Sequence, residues 1–261
     1  MSAVVIREGL VHYEAIGRGR PLIFLHGWLG SWRYWVPAMD ELSVKHRAYA
    51  FDLWGFGDSD KLKMQYNINA YVELLGEFID YLGVPPISLV GHALGGVVAL
   101  LFAAQAPERV EQVMGVSVPL VGAAINRPLT GLPGNGGALA RLVARRANFP
   151  EVGMEAGKAD MAAITHSMRS AMGRDLRRVL PPLNIPVLLV HGENDPLIKP
   201  PQPGWLQDCD DNVRAIFLDG AQHFPMLEKR NKFNRLLIDF LDAGKDLASL
   251  KLKEEWQRRL R

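Results

Sequence analysis

Cysteine is almost absent from this 261-residue chain, and its one copy, Cys209, has no partner within the chain, so an internal disulfide framework is excluded. Long apolar runs are missing too. The longest, Val97 to Ala104, is eight residues, far short of the ~20 that span a bilayer, so no membrane-spanning helix is expected. Charge of one sign is also scarce: 30 lysines and arginines against 28 acids leave +2, too small a bias to predict a nucleic-acid partner. The opening residues MSAVVIREGL place Arg7 and Glu8 where a signal peptide needs an apolar stretch, and a cytoplasmic setting is the expectation. No HxH or HExxH spacing suggests a metal, and neither GxGxxG nor GxxxxGK[ST] suggests a nucleotide, so no cofactor is expected.

What the chain does have is alternation. Short runs rich in β-branched residues recur at about 21–25, 47–51, 86–90, 110–117, 186–190 and 213–218, separated by helical patterns, and this predicts βαβ units around a parallel sheet. Two N-terminal runs, near 3–7 and 10–15, predict an antiparallel edge. Ile68, Val72, Leu75, Ile79 and Leu82 share a helix face, and 95–106 reads as a helix buried on most sides. The expected fold class is α/β, doubly wound and mostly parallel.

Residues 119–185 break the rhythm, with no strand-like run. They read as a helical cap inserted after the strand at 110–117, the core then being 1–118 and 186–243. From 119 to 186, nine basic residues face four acids, and this is read as solvated helix surface. Residues 244–261 form a third piece, a helical extension whose Leu252, Trp256 and Leu260 make a narrow apolar stripe. Such a stripe should dock on the body or on a second copy, so a homodimer through the extension is one expectation.

Chemistry concentrates at Val90-Gly91-His92-Ala93-Leu94-Gly95-Gly96, where a strand passes directly into a helix. A turn that tight forces strained backbone on its middle residue and leaves no room for neighbouring Cβ atoms, which is the use of Gly91 and Gly95. The segment resembles the G-x-S-x-G nucleophile elbow of the α/β-hydrolase fold, with Ala93 at the serine position. Further residues fall where that resemblance requires them. His26-Gly27-Trp28 resembles the family's oxyanion loop, and Asp52 to Ser59 its D-x-x-G-x-G-x-S turn. Asp195, after the strand at 186–190, stands where the family keeps its acid, and His223, after the last strand, where it keeps its base. The resemblance implies a catalytic set of position 93, Asp195 and His223, with the Trp28 and Leu94 N–H groups as oxyanion hole and a small-molecule acyl compound as substrate.

Around that set, Met154, Met161 and Met168 of the cap are expected to line an apolar pocket, bordered below by His26 and His92. His12, His46, His92 and His166 also carry the ordinary reading of hydrogen-bonded structural histidines. Alanine has no nucleophilic atom, so an acyl-enzyme is not expected from the chain as written, and Ser59 and Ser117 lack the glycine pair that an elbow needs. Two readings stand. One is a serine hydrolase for a carboxylic ester or related acyl compound, represented by a nucleophile-less form. The other is a homologue that binds a ligand or partner, or uses the His–Asp pair without a covalent step.

Overall fold

The computed structural model describes residues 2–126, 149–247 and 250. Eight strands build one sheet: β1 (Ser2–Ile6), β2 (Gly9–Gly17), β3 (Arg20–Leu25), β4 (His46–Phe51), β5 (Ile87–His92), β6 (Val110–Val116), β7 (Val187–Gly192) and β8 (Val213–Leu218). Their spatial order is β1-β2-β4-β3-β5-β6-β7-β8. From β3 to β8 all pairings are parallel, while β1 and β2 add an antiparallel edge. Both features follow the sequence pattern. β5 and β7 are buried along their whole lengths, as strands covered on both faces by helices must be, so apart from Ser88 their sequences are apolar up to the histidines near their carboxyl ends.

The hairpin joining β1 to β2 turns on Arg7 and Glu8, both in the left-handed region at φ 46° and 67°. That turn ordinarily calls for Asn and Gly. Here the Arg7 guanidinium is held from outside by Glu73 and Glu77 of α2 (Ile68–Leu82), at 2.7 and 2.5 Å. The helix itself starts on Asn67, whose Oδ1 accepts the Ala70 N–H, and stops at Gly83, whose φ of 59° only glycine adopts freely.

The other α-helices among the described residues are α1 (Val36–Leu42), α3 (Leu94–Gln105), α4 (Pro150–Lys158), α5 (Met161–Met172), α6 (Pro225–Glu228) and α7 (Arg230–Ala243). The segment between β6 and β7 carries α4 and α5; one bridge, Val121 to Asp175, joins its own two ends, and another, Ile125 to Ile198, ties it to the loop after β7. The Gly- and Pro-rich stretch from 127 on, with Arg141, Arg145 and Arg146, and most of the C-terminal extension lie outside the described residues. Leu247 and Leu250, at the start of that extension, are buried in the core.

From β3 the chain moves one way to β4, then returns to β5 on the other side of β3. The crossovers therefore diverge above the carboxyl ends of β3 and β5, where open α/β sheets leave a crevice. His26 to Trp28 leave β3 there, and Ala93 leaves β5.

Candidate active site

Ala93 sits between β5 and α3 with φ 45° and ψ −105°, a conformation that costs an ordinary residue on the order of 1–3 kcal/mol. Its surroundings enforce it. The Ala93 N–H donates to the Val116 carbonyl of β6 at 2.8 Å, and its own carbonyl accepts the first helical bond from Val97. A Cβ on Gly91 would run into the Gly95 carbonyl, and one on Gly95 would lie 2.5 Å from the Leu25 carbonyl. The tight packing expected at these glycines is thus backbone against backbone. Leu94 is the first residue of α3, so its N–H has no intrahelical acceptor and points out of the helix with the positive end of its dipole.

The loop after β3 packs on this elbow. Gly95 N–H donates to the His26 carbonyl at 3.1 Å, and a Cβ on Gly27 would lie 3.0 Å from the Ala93 Cβ. Trp28 is buried, and its indole N–H donates to Ser167 of α5 at 3.0 Å. The backbone of residues 26–28 and the start of α3 therefore meet at Ala93.

His223 follows β8. Its Nδ1 lies 2.8 Å from Asp195 Oδ2, and the other carboxylate oxygen accepts the Leu197 and Ile198 N–H groups at 2.8 and 3.0 Å. Burial pushes the Asp195 pKa up, but the His223 ring and those two N–H donors outweigh it and hold the carboxyl below its usual value. Because an ionised Asp195 only accepts, His223 Nδ1 carries the proton and Nε2 is left with its lone pair, the form a general base requires. The His223 ring lies 4.7 Å from that of His92, the residue preceding Ala93, so dyad and elbow are neighbours.

Among the residues expected around the site, His26, His92 and Met154 are placed differently from that expectation. His26 and His92 are fully buried with both ring nitrogens engaged inside the protein, leaving neither a nitrogen for a substrate. His26 Nδ1 meets the Gly27 carbonyl at 2.8 Å and its Nε2 accepts the Leu53 N–H at 3.0 Å. Met154 is 63% exposed: the inner face of α4 carries Val152, Glu155 and Ala156, and residue 154 falls opposite them. Met168 is buried and Met161 half-buried against the core.

The structure also brings in residues that the sequence pattern does not single out. Tyr34 bonds both Gly27 and His92. Glu228 accepts the N–H groups of Gln222 and Phe224 on either side of His223. Ser117, weighed in the sequence only as a substitute nucleophile, directly follows β6 and has φ 49° and a buried hydroxyl without a partner. Glu228, five residues after His223, closes α6, and neither it nor Tyr34 belongs to a motif of the sequence. Among the described residues no group of three His, Cys, Asp or Glu side chains could hold a metal ion, and no helix is long and apolar enough to cross a membrane.

Sheet order, elbow and dyad together define an α/β hydrolase, and comparison with known proteins agrees. The sequence family described as the α/β hydrolase fold matches residues 20–163, and the chain belongs to that family. A pimeloyl-[acyl-carrier protein] methyl ester esterase of Nitrosomonas europaea is 28% identical over 250 residues, covering 85% of this chain and 96% of that protein. Among solved structures, an enol-lactonase from Burkholderia xenovorans superposes with a TM-score of 0.80 at 20% identity, covering 92% of this chain and all of that one. An N-acyl homoserine lactonase gives the same score and identity over 93% and 97% of the two chains. At such identities the structural likeness speaks for the fold.

Proposed function

We propose that this chain carries the site of an acyl hydrolase, of the class that opens carboxylic esters, in which residue 93 occupies the nucleophile's place without supplying a nucleophile. The observation that carries this reading is the backbone of Ala93. A ligand-binding protein has no physical need to keep an alanine at φ 45°, at a helix start, beside a histidine oriented by a buried carboxylate. The N–H groups of Trp28 and Leu94 would hold the oxyanion, the term that usually dominates such catalysis. With serine at 93, His223 would accept its proton and later deliver it to the leaving alcohol, while Asp195 fixes the tautomer. The esterase relative favours an ester over other acyl bonds.

The test is Ala93→Ser assayed on activated aryl esters. The chain as it stands should hydrolyse them barely above background, because loss of the nucleophile from such a set costs on the order of 10⁶ in turnover. The serine variant should gain a burst of acylation, and its rate should fall on the acid side, because only a neutral imidazole can take the serine proton. A folded serine variant that stays inert on esters, lactones and thioesters overturns the reading. The His–Asp pair would then serve binding or non-covalent proton transfer.

A further inference from the structure

Behind the dyad runs a chain of hydrogen bonds that the reaction scheme does not use. Gly27 N–H donates to the Tyr34 hydroxyl at 2.5 Å; that oxygen lies 3.0 Å from His92 Nδ1; and His92 Nε2 lies 2.8 Å from the carbonyl oxygen of His223. The chemistry fixes every proton. A carbonyl only accepts, so His92 Nε2 carries the hydrogen. A neutral imidazole protonated there has only a lone pair at Nδ1, so the Tyr34 hydroxyl must donate to it, and the Tyr34 oxygen is then free to accept from Gly27. No donor or acceptor in the chain is left over. Three segments distant in sequence, the loop after β3, the elbow and the loop after β8, thus meet on one side chain.

We propose that His92 is a positioning residue for this site, a neutral imidazole that holds the oxyanion loop through Tyr34 and the backbone of His223 directly, so that donors and base keep one spacing about residue 93. The inference rests on the acyl-hydrolase reading for its consequence in turnover, but not for its geometry. Packing supports it. The His92 ring contacts the rings of Tyr34, His223 and Phe224 at 5.6, 4.7 and 5.1 Å between centroids, and a Cβ on Gly27 would lie 2.7 Å from His92 Nδ1. An apolar core residue would fill the same space. It would not satisfy a carbonyl on one side and a hydroxyl on the other, and an unpaired buried group on either loop would let that loop move. Burial, and then the neighbouring His223, also drive the pKa of His92 well below the usual histidine value, which favours this neutral form of the ring.

Three variants test this in the chain as it stands, without reference to hydrolysis. In the parent, the His223 Nδ1–H held by Asp195 should give a low-field proton NMR signal, and nitrogen shifts should report His92 as neutral with Nε2 protonated. His92→Phe should broaden that signal by speeding its exchange about tenfold, while His92→Gln, whose amide can still donate to the His223 carbonyl, should largely restore it. Tyr34→Phe should leave the His223 signal alone and shift the Gly27 amide upfield. If His92→Phe does not fold, the Gln and Tyr34 variants decide. In an Ala93→Ser background, His92→Phe should lower kcat by about 100-fold with KM little changed, as a small misplacement of reacting groups does, and Gln should recover most of it. A folded His92→Phe variant with the parent's His223 signal, or a Tyr34→Phe variant with an unmoved Gly27 amide, overturns the proposal. An inert Ala93→Ser protein whose NMR results are as expected would overturn the hydrolase reading instead and leave the positioning role standing.

Discussion

The indole of Trp28 donates to the hydroxyl of Ser167 at 3.0 Å, and that hydroxyl donates in turn to the Ala163 carbonyl at 2.5 Å. One buried serine on α5 thereby fixes a side chain of the loop after β3, and the segment between β6 and β7 is tied to the loop that contacts Ala93. Ser167→Ala should lower stability by about 1–3 kcal/mol, because it leaves the indole N–H buried and unpaired. Trp28→Phe combined with Ser167→Ala should cost less than the sum of the two single changes, since the double variant strands no donor. Urea unfolding of the three variants checks this, and additive losses would show that the bond contributes nothing.

A second tie is ionic and has an opposing neighbour. Asp58 lies 2.7 Å from Arg33 and 3.0 Å from Lys158, and Glu155 of α4 lies 3.3 and 3.0 Å from the same two cations. Burial pushes the Asp58 pKa up, but hydrogen bonds from Lys158 and Arg33 outweigh it and hold the group at about 2, below its ordinary 3.8. A depressed carboxyl stabilises the fold above its unfolded pKa, so this contribution is complete above about pH 4 and disappears as pH falls towards 2. Asp52 has the opposite sign. Burial raises it to about 7, although the Asp58 and Trp32 N–H groups pull it down. Its ionisation therefore costs stability as pH rises from about 4 to 7. Asp58→Asn should lose about 1 kcal/mol at pH 7, after allowing for solvent screening of a partly exposed group, and should flatten the acid limb of stability. Asp52→Asn should remove a decline between about pH 4 and 7 and leave the acid limb intact. Thermal unfolding from about pH 3 to 8 separates the two.

Much of this is legible in the sequence, and the reasons are physical. β5 and β7 are mostly apolar because helices cover both faces, and Gly91 and Gly95 must be glycine because backbone passes within van der Waals reach. Such constraints act locally and leave local traces. Asp195 and His223 are legible for a different reason, since each follows a recognisable strand. Tyr34 and His92 are not legible as a pair, because 58 residues separate them and nothing in either segment announces the bond. The loops of His26 and His92 meet at Ala93, yet the direction of each side chain depends on which donors the neighbouring loops supply. Met154 departs from expectation through its helical period: methionines at 154, 161 and 168 make one stripe only if α4 and α5 are continuous, and Ala159 and Asp160 break them into two helices with separate inner faces.

The C-terminal end offers a last test, in which two parts of the extension should behave differently. Leu247 and Leu250 are 2% and 4% exposed and belong to the main core, so they are part of the folded body and not of an appendage. Burial on that scale implies that Leu247→Ala or Leu250→Ala should each cost about 2–3 kcal/mol. For a domain of this size that corresponds to several degrees in Tm, at about 2–4 °C per kcal/mol. Truncation after Lys245 removes both leucines and should lower Tm by more than either substitution. Truncation after Leu250 keeps them, and should leave Tm close to that of the full chain while removing Leu252, Trp256 and Leu260. Light scattering on the same pair of truncations then isolates the stripe: a homodimer through those three residues predicts that the chain ending at Leu250 has half the mass of the full chain at equal concentration. An unchanged mass, with Tm lowered only when the chain ends at Lys245, would confine the role of the extension to its first turn.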